Sequence, residues 1–510
     1  MSNLYALLEK TAQTYPDKTA LEFGGHTLSY QKVKEASDRL AAGLQHMGIR
    51  PGDRMAVMLP NVPHTVLTFF ALFKLGATII PVSIHYKEEE IHHQLEDSEA
   101  RGIVYPDRYR QRVYTALQGL DHCDYWVVLG GEAKEGEVRL TYLMETYEPL
   151  ETSDDTHPDD TALIVYTAGT TGYPKGAELT HDNILANIDA CGDVLQIESD
   201  SSVLAVLPLH HPLGNTLVLG TFFRKGGKVV LMPSFNAADS IRMIASGKIT
   251  HFFGVPSMYS EMLDVGEASE KDLKSLQMCL SSGDGLRQEI MTAFADRFKI
   301  HILEGYGLTE ASAIVSLNSP RQEQRAGSIG LPLPGVEMRI VNESGEDVKT
   351  GQVGEIIVQA PSVMKGYLNK PEATKDVLKD GWLYTGDLAR LDESGFGIIV
   401  VRKKTVIVKS GFSIYPREVE RYLLGHPKIR EAIVVGIPDP AFGEEIHAVV
   451  VLKDGETAGQ DEIVEYIRER MATYKCPRII HFAGTLPKGP TGRIMRDQVR
   501  HDVMNASIRK

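Results

Sequence analysis

The sequence is poor in cysteine, with only four in 510 residues. They lie far apart, and none belongs to a CxxC or Cys/His spacing, so the sequence holds neither a disulfide framework nor a zinc motif. We therefore expect buried, reduced thiols in a cytoplasmic protein. The four are Cys123, Cys191, Cys279 and Cys476.

Long apolar runs are also missing. The most apolar stretch, residues 66–82, is interrupted by Lys74, Gly76 and Pro81. A membrane span needs about 20 consecutive apolar residues, so this stretch predicts a buried helix followed by a strand, and we expect no stable insertion into a membrane. Residues 1–9 lack the basic and apolar regions of a signal peptide and predict the start of a helix.

Basic residues are outnumbered, since 54 Lys and Arg face 68 Asp and Glu, a net charge of −14. Such a chain has no overall attraction to nucleic acid or to an anionic membrane, although a local basic patch can still bind a small anion. The hydrophobic fraction of 43% and the charged fraction of 24% are those of a folded globular protein. The length suggests two to four domains of roughly 150 residues each.

Helical and strand-like segments alternate in the first two thirds of the chain. Residues 30–47 and 66–75 have helical spacing, whereas residues 54–59 and 78–82 resemble buried strands. This alternation predicts a parallel sheet covered by helices. Further strands are predicted at residues 163–167, 228–232, 251–255, 277–280 and 300–303.

The pattern changes after about Ser328, where Gly-rich turns separate strand-like segments and indicate a β-rich subdomain. These segments are residues 337–341, 353–359 and 388–391. After Lys404 we expect a small α/β unit. Its predicted helices lie near residues 416–424 and 461–471, and its strands at 432–437 and 448–452.

The most informative local feature is the string Tyr166-Thr-Ala-Gly-Thr-Thr-Gly-Tyr-Pro-Lys-Gly, which follows a predicted strand and precedes a helix expected from about Asp182. Its small residues allow backbone amides to approach phosphate oxygens, its threonines add hydroxyl donors, and Lys175 adds a positive charge. The spacing differs from GxxxxGK[ST], so this is not a Walker-type loop.

The whole string resembles the phosphate loop of the adenylate-forming superfamily, which includes acyl-CoA synthetases, peptide-synthetase adenylation domains and luciferases. Other motifs resemble this family in the same order over nearly the whole chain. They begin at Leu207 (LPLHH), Ser281 (SSGDGL), Glu304 (EGYGLTE), Trp382 (WLYTGD), Val401 (VRKK) and Lys409 (KSGFSIYPREVE).

The resemblance implies an α/β fold with a large N-terminal domain, residues 1–401, built from two αβ-sandwich subdomains and a distorted β-barrel. A hinge at residues 402–404, centred on Lys404, would join it to a small mobile α/β domain of residues 405–510.

The resemblance also assigns roles to residues. Glu310 and Thr167 would hold Mg²⁺, since this ion prefers hard oxygen ligands, and His211 would lie at the wall of the acyl pocket. Tyr306 would stack on adenine, and Asp387 with Arg402 would hold the ribose. The implied contacts to ATP and CoA are made by Thr167, Ala168, Gly169, Thr170, Thr171, Gly172, Lys175, Gly283, Asp284, Glu304, Gly305, Tyr306, Gly307, Thr309, Asp387, Arg402, Lys404, Lys409 and Gly411.

Several positions depart from the family pattern. Ala168 replaces a Ser or Thr and removes one hydroxyl contact, and His210 replaces an aromatic residue of the acyl pocket. Asp284 stands in a segment that is usually Gly- or Ala-rich, where it either meets the adenine amino group or faces solvent. Val401 and Thr405 replace a Gly and an Asp.

The most consequential departure is Arg493. The family ends with a motif like Pro-Lys-x-x-[Ser/Thr]-Gly-Lys, whose last lysine contacts the carboxylate and the α-phosphate during adenylation. Arginine keeps the charge but presents a planar, bulkier fork. Three interpretations follow: Arg493 substitutes imperfectly, the first half-reaction is blocked in this variant, or Lys488 takes its place. Adenylation would suffer more than thioester formation.

The resemblance therefore implies an ATP-dependent carboxylate–CoA ligase that uses Mg²⁺ and forms first an acyl-AMP and then an acyl-CoA. A medium- or long-chain fatty acid is the expected substrate, with an aryl acid or a carrier-protein acceptor as alternatives. Monomer and homodimer are both open. From another class, a non-catalytic protein that binds nucleotide or acyl-adenylate also fits Arg493.

Overall fold

The structure is a computed structural model that describes residues 3–151, 156–168, 174–283, 285–286, 288–320, 327–342, 344–402, 407–414, 416–487 and 496–505. Within some strands and helices only the backbone is described, as it is for Ala168, Val401 and Arg402.

The helices of the described residues are, in chain order, α1 (Leu4–Thr14), α2 (Tyr30–Met47), α3 (Pro63–Lys74), α4 (Glu88–Asp97), α5 (Arg110–Ala116), α6 (Leu140–Thr146), α7 (His181–Val194), α8 (Thr221–Lys225), α9 (Ala237–Met243), α10 (Pro256–Leu263), α11 (Glu270–Leu273), α12 (Gln288–Phe298), α13 (Pro371–Val377), α14 (Pro416–Leu424), α15 (Gln460–Arg468) and α16 (Arg496–Asn505). Leu213–Gly220 and Ile244–Lys248 form π-helical segments, and Asp107–Tyr109, Thr309–Ala311 and Thr473–Lys475 form 3₁₀ turns.

The strands are β1 (Thr19–Phe23), β2 (His26–Ser29), β3 (Arg54–Val57), β4 (Thr78–Pro81), β5 (Gly102–Pro106), β6 (Tyr125–Leu129), β7 (Glu137–Arg139), β8 (Thr161–Ala168), β9 (Pro174–Thr180), β10 (Ser202–Ala205), β11 (Lys228–Leu231), β12 (His251–Gly254), β13 (Met278–Ser282), β14 (Ile302–Tyr306), β15 (Ser316–Leu317), β16 (Leu331–Pro332), β17 (Glu337–Val341), β18 (Gly354–Gln359), β19 (Gly366–Tyr367), β20 (Leu378–Lys379), β21 (Trp382–Leu391), β22 (Gly397–Arg402), β23 (Ile407–Lys409), β24 (Phe412–Ile414), β25 (Ile429–Asp439), β26 (Gly443–Leu452) and β27 (Ile479–Phe482).

Four sheets organise these strands. One has the order β19-β9-β8-β4-β3-β5-β6-β7 and a second β16-β15-β14-β13-β12-β10-β11-β1-β2. A third joins β17-β18-β21-β20, with β22 also paired to β21, and the fourth joins β24-β23-β26-β25, with β27 also paired to β26. The first three form a large domain and the fourth a small one, which confirms the expected α/β fold.

A layer of helices that includes α1, α2, α3 and α7 lies between the two large sheets and shares one apolar core with both. Helices α4 and α5 cover the opposite face of the first sheet. Helix α2 illustrates how the local sequence specifies an element. The Ser29 side chain accepts from the Lys32 amide at its start, and Gly48 ends it in the left-handed region, which favours glycine.

Strand β9 was not expected from the sequence. It follows the phosphate string and pairs antiparallel with β8, so that Thr167 lies opposite Lys175. The helix expected from about Asp182 begins at His181, where the Thr180 side chain caps it. The string therefore joins the two strands of a hairpin.

The small domain has two apolar faces. Helices α14 and α15 pack on one face of its sheet around Val419, Leu423 and Ile463. Helix α16 contributes Val499 and Val503 to the cluster on the other face. No helix in the described part of the chain is both long and apolar enough to cross a bilayer.

A buried charge network fixes the helix layer. The Lys74 side chain is 1% exposed, and its Nζ lies 2.8 Å from Asp38 Oδ1 and 3.1 Å from Tyr5 Oη. Lys74 also donates to the Leu150 carbonyl, and Lys34 contacts the other Asp38 oxygen at 2.7 Å. The network joins α1, α2 and α3.

We predict that Lys74→Met lowers the free energy of unfolding by about 3 kcal/mol, because removing one partner leaves the buried Asp38 charge undercompensated. Urea unfolding followed by the fluorescence of Trp126 and Trp382 measures this. Lys225→Met is the control, since the Lys225–Asp193 pair is on the surface, and it should cost less than about 1 kcal/mol. Equal effects of the two substitutions would contradict the prediction.

Candidate active site

The first group of predicted site residues meets around Glu310. Glu310 lies in a 3₁₀ turn, and its Oε1 accepts hydrogen bonds from Tyr367 Oη at 2.7 Å and from Thr167 Oγ1 at 3.4 Å. Lys175 Nζ lies 4.9 Å from the centroid of the Tyr367 ring, a cation–π distance. A carboxylate, a hydroxyl and an ammonium group are thus brought together at the end of the β8–β9 hairpin where the two strands are connected.

Tyr367 is the residue of this group that the sequence analysis missed. It lies on β19, whose pairing with Ala177 and Glu178 of β9 attaches the strand to the edge of the first sheet. Neither charge nor a recognisable spacing marks Tyr367 in the sequence. Only the pairing of β19 with β9 reveals its place beside Glu310.

A second group joins Tyr306 and Asp387. Tyr306 ends β14, and its hydroxyl donates to Asp387 Oδ2 at 2.7 Å. The two side chains are largely buried, and Asp387 lies opposite Arg402 in the β21–β22 ladder. The structure therefore brings together the residues expected to bind adenine and ribose, which are 81 positions apart.

The Glu304 carboxylate binds two backbone amides. Its carboxylate accepts from the Leu286 amide at 3.0 Å and the Gly327 amide at 2.9 Å. Burial raises the pKa of Glu304, although both hydrogen bonds oppose this shift. Among the residues expected at the nucleotide, Glu304 thus holds two loops in place.

The two glycines of the EGYG segment lie where neighbouring atoms leave little or no room for a side chain. A Cβ built on Gly307 would lie 1.6 Å from the Ala313 carbonyl oxygen, so no other residue fits there. Gly305 packs against Leu317, and Gly283 adopts the left-handed region at φ +88°.

A cavity of about 170 Å³ lies beside the Glu310 group. The large domain contributes apolar side chains, hydroxyls and both histidines of the LPLHH segment. These residues are Pro81, Ser83, Tyr86, Gln94, Val165, Tyr166, Thr167, Pro174, Leu207, Pro208, His210, His211, Leu213, Val255, Met258 and Thr309.

The two histidines line this cavity, where His211 is exposed and His210 is partly exposed. The loss of hydration lowers the pKa of His211 to about 4 and that of His210 to about 3, and the neighbouring His211 and His85 add to the shift of His210. The His211 Nδ1 accepts from the Leu213 amide at 3.2 Å. Both rings are therefore neutral at physiological pH.

The small domain closes the cavity with Ser410, Gly411, Phe412, Glu418, Tyr474 and Lys475. Gly411 has φ +79°, and a Cβ on it would lie 2.6 Å from Val255 Cγ1 of the large domain. Its backbone therefore approaches the large domain as only glycine allows.

Lys409 does not join this wall. Its Nζ forms an ion pair with Glu445 and lies near the Phe442 ring. Lys409, which was expected to contact the CoA arm, therefore contacts other residues of the small domain in this structure.

Some predicted residues lie outside the described ranges: Gly169, Thr170, Thr171, Gly172, Asp284, Lys404, Lys488 and Arg493. The side chains of Ala168 and Arg402 are likewise not described. Within the described residues, no three His, Cys, Asp or Glu side chains are grouped as metal ligands. One carboxylate with a nearby hydroxyl still fits Mg²⁺, which is often held by one or two protein carboxylates together with substrate phosphates and waters.

Comparisons with known proteins agree with this geometry. Residues 8–368 match the sequence model described as AMP-binding enzyme, and residues 418–493 match the AMP-binding enzyme C-terminal domain. A long-chain-fatty-acid–CoA ligase of Bacillus subtilis is 36% identical over 97% of this chain and 93% of its own. A feruloyl-CoA synthase of Amycolatopsis is 35% identical over 96% and 97%.

Among solved structures, an o-succinylbenzoate-CoA synthetase from Bacillus subtilis, a double mutant with a bound product analogue, superposes with a TM-score of 0.86. It is 28% identical, and the match covers 98% of each chain. The first family model covers the motifs from the phosphate string to EGYGLTE, the second reaches Arg493, and the relatives match 96–97% of this chain. The chain therefore belongs to the AMP-binding enzymes of the adenylate-forming superfamily.

Proposed function

We propose that this protein is an ATP-dependent carboxylate–CoA ligase. The observation that carries the proposal is the cavity that both domains line, with Thr167 and Thr309 beside the Glu310 group on one side and Ser410–Phe412 on the other. A cavity that borders the Glu310 group and is completed by the second domain suits a reaction with an acid, ATP and CoA. Relatives that are 35–36% identical carry the names of CoA ligases.

In the first half-reaction, a carboxylate oxygen attacks the α-phosphorus of ATP, and the bond to the β-phosphate breaks to release pyrophosphate. We assign Lys175 to the charge of the leaving phosphates and Thr167 to a hydrogen bond with a phosphate oxygen. Glu310, with Thr167, would hold Mg²⁺, which supplies charge neutralisation at the phosphates when bound. Tyr306 would lie against adenine, and Asp387 would accept from the ribose hydroxyls.

In the second half-reaction, the thiol sulfur of CoA attacks the acyl carbon, its proton is lost, and the bond to AMP breaks. We assign Gly411 and its neighbours to the passage for the CoA arm, because their backbone forms the wall of the cavity. Between the two steps, the small domain would turn about a hinge at residues 402–404. The matches at residues 8–368 and 418–493 fall on either side of this segment and support the division into 1–401 and 405–510.

The proposed acid is a medium- or long-chain fatty acid. Leu207, Leu213, Val255 and Met258 give the cavity an apolar wall, and the neutral histidines add no charge that would attract a second carboxylate. An aryl acid is the second candidate, because the feruloyl-CoA synthase is nearly as similar as the fatty acid ligase. The four cysteines are unpaired and buried, which supports a reducing compartment such as the cytoplasm.

Arg493 is proposed to slow the first half-reaction, because a planar guanidinium does not reproduce the compact ammonium of the usual lysine. We predict that Arg493→Lys accelerates pyrophosphate release by about 10- to 100-fold, since small displacements of a catalytic group have effects of this size. Thioester formation from preformed acyl-adenylate should change less than twofold.

The assay measures ATP- and CoA-dependent thioester over fatty acids of increasing chain length and over ferulate, with both proteins. Equal adenylation rates would show that Arg493 is tolerated. If neither protein releases pyrophosphate with any acid but both bind ATP tightly, the proposed ligase is wrong and a nucleotide-binding protein is favoured.

Tyr367 supplies a second prediction. Tyr367→Phe removes the hydroxyl that donates to Glu310 but keeps the ring beside Lys175. A hydrogen bond to a charged group contributes roughly 1.5–3 kcal/mol, so we expect the Mg²⁺ concentration for half-maximal pyrophosphate release to rise about tenfold.

Tyr367→Leu also removes the ring, so the KM for ATP should rise as well. Tyr142→Phe is the control, because Tyr142 is exposed, and it should behave as the wild type. An unchanged Mg²⁺ requirement in Tyr367→Phe would refute the role given to the hydroxyl.

A further inference from the structure

Three charged side chains meet in the interior where the two domains touch. Lys475 Nζ lies 2.8 Å from Glu90 Oε1 and 2.8 Å from Glu418 Oε1. All three side chains are at most 6% exposed. Glu90 belongs to α4 of the large domain, whereas Lys475 and Glu418 belong to the small domain. We call these residues the interdomain charge cluster.

Glu90 makes a second contact with the small domain. Its Oε2 accepts from the Ala472 amide at 2.9 Å and from the Lys87 amide of its own helix at 3.0 Å. One carboxylate of the large domain thus accepts hydrogen bonds from both a side chain and a backbone amide of the small domain. Such a contact fixes the position and the direction of residues 472–475.

The interdomain charge cluster lies directly against the proposed CoA passage. Lys475 and Glu418 line the cavity, as do Tyr86 and Tyr474 on either side of them. Lys475 Nζ lies 4.5 Å from the centroid of the Tyr86 ring, and the Tyr474 ring packs at 4.3 Å on that of Phe412. The position of Lys475 is therefore transmitted to Phe412 and to Gly411 beside it.

The interdomain charge cluster contains one positively charged and two negatively charged side chains. Lys475 and Glu418 form a neutral pair within the small domain, and Glu90 adds a further negative charge from the large domain. Burial alone would lower the pKa of Lys475, but Glu418, Tyr86 and Glu90 together hold it well above its usual value. Burial raises the pKa of Glu90 against the opposing effect of Lys475. When the domains separate, the small domain keeps its neutral pair and Glu90 returns to water.

We propose that Glu90 is a positioning residue for thioester formation: it binds Lys475 and the Ala472 amide, and so holds residues 410–412 and 474–475 as the wall of the CoA passage. The inference rests on the proposed two-step function. Because the buried contact exists only while the domains are joined in this orientation, Glu90 stabilises the second half-reaction and contributes nothing to the first.

Glu90→Gln tests the proposal, because the amide keeps the size of the side chain and an oxygen for the Lys87 amide but loses the charge that attracts Lys475. Pyrophosphate release and thioester formation from dodecanoyl-adenylate and feruloyl-adenylate are measured separately. We expect thioester formation to fall at least tenfold, while pyrophosphate release stays within twofold of the wild type. Glu90→Asp, which keeps the charge, should form thioester at a rate between those of the wild type and Glu90→Gln.

The control for charge removal is Glu462→Gln. Glu462 pairs with Lys428 on the surface of the small domain, 2.7 Å away, and its loss should change neither half-reaction. An equal decrease of both half-reactions in Glu90→Gln would indicate a merely structural role and overturn the proposal. Unchanged thioester formation would also overturn it.

Domain docking is measured independently of activity. Cysteines introduced at exposed Tyr142 of the large domain and exposed Leu424 of the small domain accept fluorescent labels, because the four native cysteines are buried. Glu90→Gln should change the efficiency of fluorescence energy transfer between the two labels relative to the wild type. Glu418→Gln should leave it as in the wild type, since Lys475 then has Glu90 as its carboxylate partner.

The two proposals fail in different ways. If the wild type formed no thioester from either adenylate, the proposed function would be wrong, while the energy transfer would still report whether Glu90 docks the small domain. If the wild type formed thioester and Glu90→Gln altered neither thioester formation nor energy transfer, only the role of Glu90 would be wrong.

Discussion

The hydrogen bond from Tyr367 to Glu310 joins parts of the chain that are 57 positions apart, and the arrangement of the groups proposed to act at the phosphates depends on it. Glu310 alone lies on a short turn, where little else restricts a carboxylate. Tyr367 is fixed because β19 pairs with β9, and β9 in turn carries Lys175 opposite Thr167. The pairing of β19 with β9 therefore places one tyrosine in contact with both charges, since its hydroxyl donates to the Glu310 carboxylate and its ring faces the Lys175 ammonium group.

Buried charge serves two different purposes in this fold. The Lys74–Asp38 network connects helices of a single layer, so its desolvation cost is incurred once, on folding, and the contact then persists. The Glu90–Lys475 contact crosses the boundary between the domains; in the proposed domain movement, Glu90 regains its hydration, and Lys475 keeps Glu418 as its partner. A buried ion pair is well suited to such a boundary, because it is strong in one geometry and inexpensive to separate in solvent.

The sequence predicted the elements with regular periodicity well. The helix at residues 30–47 and the strand at 337–341 have the predicted bounds. Strand β9 was missed because a Gly- and Pro-containing segment carries little strand signal, and β21 is longer than the apolar run at residues 388–391 indicated. Tyr306 and Asp387 were predicted to lie at one site because they belong to motifs, and the structure brings them into contact. Tyr367 and Glu90 were not predicted, since the roles proposed for them depend on partners that are distant in sequence.

The two halves of the cavity differ in what holds them. The large-domain side includes residues at strand ends, such as Pro81, Thr167 and Pro174, so part of its geometry is fixed when the sheets form. The side formed by the small domain depends on a few contacts across the interface, namely the approach of Gly411 to Val255 and the charges around Lys475. In the proposed reaction, chemistry at the phosphate needs permanent positioning, whereas admission of CoA needs a wall that forms and is lost again as the small domain turns. The two proposed half-reactions thus account for regular hydrogen-bonded structure on one side of the cavity and an ion pair between the domains on the other.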